Sequence, residues 1–121
     1  MNMQDYKERL QLLIEKGIIS TPAYSVALES FEQVMDLVNK NDIDQSEMLF
    51  THLPMALTRI EKGEQVEKPT AELMAEIEQS IHYELAKRQI TFIEDKWGDS
   101  IPEGEREYLY MHYVTVFNTN L

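Results

Sequence analysis

Apolar residues recur along most of this chain at steps of three and four, the spacing that lines one face of an α-helix. Tyr6, Leu10 and Leu13 give a short amphipathic helix, and Gly17 stands where a C-cap is expected. Ser20, Thr21 and Pro22 read as a helix start, because serine caps an N-terminus and proline fits its first turn. The second helix carries Tyr24, Leu28, Phe31, Met35 and Val38 on one stripe and is expected to end near residues 39–41. Asp44, with Glu47 three residues on, has the form of a capping box. It would open a third helix bearing Met48, Leu49, Phe50, His52, Met55, Leu57, Arg59 and Ile60, ended by Gly63. Pro54 lies inside that helix, removes a backbone hydrogen bond and predicts a bend beside His52.

Residues 62–70, KGEQVEKPT, read as a connecting loop, with Pro69 in the first turn of the next helix. Met74, Ile77, Ile81, Leu85, Ile90, Ile93 and Trp97 then predict the longest helix, a single run from about residue 70 to 97 capped by Gly98. His82 sits on its flank near Glu78 and Lys87, and reads as a partly buried polar residue satisfied by neighbours. After DSIPEG, a last helix from about Glu103 to Asn118 carries Tyr108, Leu109, Met111, His112, Val116 and Phe117. No window alternates with period two, and no Asn-Gly or Asp-Gly hairpin turn occurs. The pattern predicts an all-α compact bundle of about five helices without a sheet. All of residues 1–121 fall in one domain, with the N-terminal helices in 1–43 and the histidine-bearing and connecting helices in 44–121.

Composition narrows the partners more than the fold. Twenty-two acidic residues against eleven basic ones leave a formal net charge of −11, a surface that repels phosphate backbones and anionic lipid. Direct nucleic-acid binding and membrane association are therefore not expected. The chain has no cysteine, which removes disulfides and thiolate-ligated zinc and fits a reducing cytoplasm. Charges break the apolar residues of MNMQDYKERLQLL, so this stretch is no signal-peptide core, and no apolar run reaches the roughly 20 residues of a membrane span.

Two stretches carry residues suited to chemistry. In MLFTHLPMALTRIEKG, residues 48–63, His52 and Arg59 lie seven apart, almost two turns, and point to the same side. In GEREYLYMHYV, residues 104–114, the order reverses, with Glu105 seven before His112. Each histidine alone reads as a structural polar residue; the two together, each with a charged residue at the same spacing, point to function. Metal binding is disfavoured: Glu78 precedes His82 by four and Glu107 precedes His112 by five, so no Glu-x-x-His motif exists, nor any His-Glu-x-x-His motif. Acid–base catalysis on a small substrate stays open, but no nucleophile elbow or phosphate cradle accompanies the histidines. Phosphoryl acceptance suits the residues best. A neutral imidazole is a nucleophile at cell pH, a carboxylate such as Glu105 can fix its tautomer, and a guanidinium such as Arg59 can pair with phosphoryl oxygens.

At these residues the chain resembles a known family. His52-Leu-Pro-Met-Ala-Leu-Thr-Arg59 is similar to the histidine-to-arginine segment of the phosphotransferase-system regulation domain, the PRD. Glu105 to His112, Glu-Arg-Glu-Tyr-Leu-Tyr-Met-His, looks like that family's second histidine segment, and the intervening stretch has the expected length and landmarks. The resemblance implies a non-enzymatic, dimerising, helical regulatory domain that needs no cofactor. It makes His52 and His112 the phosphoacceptors, with Arg59 and Glu105 supporting them. The donor it implies is the system's histidine phosphocarrier or a permease component, and the output is control of transcription, by antitermination or activation, through dimerisation or a partner. Gly104 stands where an aspartate is common and Glu107 where a small residue is common, so Glu107 is expected to alter the surroundings of His112. The other readings are an unphosphorylated dimerisation or scaffold protein and a small catabolic enzyme.

Overall fold

The computed structural model describes residues 1–64 and 68–121, so residues 65–67 of the expected 62–70 loop lie outside the described residues. Six helices follow in order: α1 (Met3–Glu15), α2 (Thr21–Val38), α3 (Glu47–Glu61), α4 (Ala71–Glu78), α5 (Tyr83–Trp97) and α6 (Glu103–Asn120). Among the described residues there is no strand, and Asn2 with Asp42 forms an isolated antiparallel bridge. Helix α2 packs on α1, α3 and α5, and α6 packs on α3, α4 and α5, so α2 and α6 are the two hubs of the bundle.

The helix ends largely follow the local chemistry. Ser20 caps α2 through its hydroxyl to the Ala23 N–H. Gly17 and Gly63 end α1 and α3 in left-handed geometry, each followed by a residue whose N–H returns five positions, Ile18 to Leu13 and Glu64 to Arg59. Four aromatic rings line the core as a chain of contacts. Tyr6 meets Phe31 at 4.7 Å and Phe50 at 5.4 Å, and Phe50 meets Tyr113 at 6.4 Å. All four side chains are fully buried.

Four expectations need correction. The long helix from 70 to 97 is two helices, broken over residues 79–82. The Ser80 hydroxyl accepts the His82 N–H at 3.1 Å, and Ser80 and Tyr83 make three-residue returns, so local bonds replace the helical ladder there. Ile81, counted on the core stripe, is 90% exposed, and His82 precedes α5 with its ring 6.3 Å from Phe117. Pro69 lies before Thr70, the N-cap of α4, so it sits outside that helix. The stripe of α2 is rotated: Ala23, Val26, Ala27, Ser30, Phe31, Val34 and Val38 are buried, with Tyr24, Leu28 and Met35 at the edge. The Asp44–Glu47 capping box does not form, since Ser46 is the N-cap of α3 and makes no side-chain cap bond. A tertiary clamp replaces it. Asn120 near the end of α6 accepts the Asp44 N–H and donates to the Asp44 carbonyl, both at 2.9 Å, fixing where α3 begins.

Pro54 leaves the gap in α3 that its missing N–H dictates, and the fold fills it. The Phe50 carbonyl, which an N–H at position 54 would have met, accepts the buried Tyr6 hydroxyl at 2.8 Å. Tyr6→Phe is expected to leave that carbonyl unsatisfied and cost about 1–2 kcal/mol in urea unfolding. In a Pro54→Ala background the restored N–H supplies the bond, so the same substitution should then cost measurably less. Equal costs in both backgrounds would show that the hydroxyl does not serve the gap.

Candidate functional site

Helices α3 and α6 run antiparallel. The start of α3, at Glu47 and Met48, shares a groove with Met111 to Val116, while its end, at Ile60 and Gly63, adjoins Pro102 to Glu105. One register therefore serves both charged pairs. Seven residues forward on α3, from His52 to Arg59, match seven residues back on α6, from His112 to Glu105. His52 faces His112, with ring centroids 5.1 Å apart and planes tilted by 44°. Arg59 faces Glu105, donating from Nε at 3.2 Å and Nη2 at 2.9 Å to the same oxygen, Oε1.

Glu105 does not serve the histidine on its own helix. Its second oxygen, Oε2, lies 3.2 Å from Nε2 of His52 across the helix pair. The carboxylate is thus bound on both oxygens by groups from α3, and it is only 2% exposed. Burial pushes its pKa up, but the hydrogen bonds from His52 and Arg59, with the guanidinium charge, outweigh burial and hold it below the usual carboxylate range. An ionised Glu105 can only accept, so His52 presents Nε2–H to it, and in the neutral ring the lone pair sits on Nδ1.

His112 is the less constrained ring. No side-chain hydrogen bond holds it among the described residues, and it lines an open groove of about 480 Å³ with Glu47, Met48, Thr115 and Val116. Burial, reinforced by the neighbouring His52, lowers its pKa from 6.5 to about 4, so it is neutral at cell pH. Glu107, expected to crowd it, lies elsewhere and borders a hollow with Lys68, Pro69, Met74 and Glu78 on the α4 side.

The structure thus brings together His52, Arg59, Glu105 and His112, and leaves His82 apart. It also adds Tyr108, whose ring lies 6.5 Å from that of His52. Its position, three after Glu105 and four before His112, is the same-face spacing that marked the pair and was sufficient to include it. Met48, 72% exposed at the mouth of the groove, carried no such signal. Among the described residues no group of three or more histidine, aspartate or glutamate side chains is placed to hold a metal ion. Among the described residues no helix is long and apolar enough to cross a membrane.

A family model described as PRD domain matches residues 25–116 of the chain, a span that holds all four residues of the site. No curated protein and no solved structure matches it significantly.

Proposed function

The chain belongs to the PRD family of phosphotransferase-system regulatory domains, and on that premise we propose that it is a phosphoaccepting switch using His52 and His112. The observation that carries this reading is the single face on which two imidazoles, one guanidinium and one buried carboxylate meet across α3 and α6. Each member of that set has a task in phosphoryl transfer.

The unprotonated nitrogen of an acceptor ring attacks the phosphorus of a phosphorylated donor protein, the phosphocarrier or a permease component of the system. The N–P bond forms as the donor's bond to phosphorus breaks and its electron pair returns to the donor. The N–H proton that the phosphorylated acceptor ring sheds passes through solvent to the leaving donor group, so charge and protons balance. On His112 burial keeps the ring neutral, so one nitrogen carries a lone pair, and the residue lines the groove. On His52 the Glu105 bond leaves Nδ1 as the free position. Phosphate brings about −1.5 to −2 charges to the helix pair and competes with Glu105 for Arg59. That exchange loosens the link between α3 and α6, and a change in their packing is the signal passed on through a dimer or a partner that controls transcription. The domain acts in the cytoplasm, where its donor is found.

Incubation with phosphocarrier, the system's first enzyme and phosphoenolpyruvate is expected to give acid-labile, base-stable phosphate on the wild-type chain and none on the double variant His52→Ala/His112→Ala. Equal labelling of that variant, or none on the wild type, would sink the reading. A second reading has one observation in its favour: Arg59, Glu105 and His52 satisfy one another without any phosphate. An unphosphorylated dimerisation scaffold would use them as a clasp, and substituting both histidines would then leave partner binding unchanged.

A further inference from the structure

We propose that His52 and His112 form one shared acceptor, which takes a single phosphoryl group on either ring and not one on each. This rests on the phosphoaccepting reading above and adds a limit to it. The rings are 5.1 Å apart between centroids, close enough for phosphoryl groups on both to crowd and repel each other.

Charge sets the same limit. Two phosphoryl groups would bring about −3 to −4 charges into that space. Arg59 is the one cation bonded within the site, and both of its donating nitrogens are committed to Glu105, itself an anion, so the fixed charges there already cancel. Lys68, the cation near the far end, is paired with Glu103 at 2.7 Å. Arg9 reaches α3 only at Thr51, donating to its hydroxyl at 3.1 Å. On the other side the groove beside His112 contributes another carboxylate, Glu47. A first phosphoryl group can take the guanidinium from Glu105; a second finds no other cation bonded within the site among the described residues and meets a chain of net charge −11. The mutual influence of the rings is already present, since His52 adds to the lowering of the His112 pKa.

The transfer step is the one written above, with either ring as acceptor, and the shared group lets one protein hold two distinct phosphorylated forms of equal charge. The test has two arms. In the first, the phosphocarrier system acts on the wild-type chain; no phosphate there removes the functional reading itself. In the second, potassium phosphoramidate, a small chemical donor to histidine, is applied to exhaustion to wild type, His52→Ala and His112→Ala. Intact masses at alkaline pH are expected to show one phosphoryl group on each of the three. Phosphorus NMR of the wild type should show two phosphohistidine signals summing to one per chain, which does not depend on the variants folding. Two groups on the wild type, or a single variant that loses all acceptance while keeping its helical circular dichroism, overturns the shared acceptor.

Discussion

Glu105→Ala is expected to destabilise the protein by about 3 kcal/mol, more than removal of any other side chain in the site. The reason is asymmetry. Glu105 is the centre of the network, buried at the start of α6, and its loss strands the two α3 groups it binds, Arg59 and His52. Both partners keep about a quarter of their surface exposed, so they can turn toward water, which holds the cost to the lower end of the range for broken buried pairs. His52→Ala should cost less, because Arg59 still neutralises the carboxylate. Glu105→Gln, which keeps shape and hydrogen bonding but not charge, should fall between them. Chemical denaturation at pH 7 ranks the three; a Glu105→Ala cost no greater than that of His52→Ala would show that the carboxylate is not the centre of the network.

How much of this site could be read in advance follows from what kind of fact each part is. His52 with Arg59, and Glu105 with His112, are same-helix pairs, and the helical repeat alone puts each on one face. Which member meets which across the helices is tertiary. Antiparallel packing places Glu105 at the Arg59 end, where it also reaches His52, and leaves His112 opposite His52. The break at 79–82 was hidden for a similar reason. Ile81 fits the apolar period of its neighbours, and only the fold shows that this position points to water. Pro54 worked the other way: its missing donor was legible at once, but the group that answers it, the Tyr6 hydroxyl, lies 44 residues before the Phe50 carbonyl it meets and has no local signature.

The family match and the geometry bear on different parts of the question. The match over residues 25–116 says what kind of domain this is. The geometry adds that the two histidines are unlike. One is held by a buried carboxylate; the other has no side-chain partner among the described residues, is neutral and is open to a groove. Met48 and Met111 line that groove beside His112.

Acid should therefore weaken the fold well above the range in which ordinary carboxylates titrate. Below pH 6.5 the unfolded chain protonates His112, while the folded chain resists that proton until about pH 4. The unfolded state thus binds more protons throughout this window, so stability falls as the pH drops through it and is fully present above it. His112 is partly exposed, faces His52 and shares its groove with the Glu47 carboxylate, so the linkage is discounted to about 2 kcal/mol between pH 7 and pH 4. Glu105 adds to the fall only at the acid end, because its pKa is depressed in the fold; its contribution is present above pH 4.5 and lost as the pH drops through its folded value. The two can be separated by urea unfolding at half-unit steps of pH. His112→Gln should flatten the curve between pH 6.5 and 4.5 while keeping the steeper fall below it, and Glu105→Gln should do the reverse. If His112→Gln retains the wild-type slope above pH 4.5, the ring is not held neutral by its burial, and the open, uncharged acceptor assigned to it loses its physical basis.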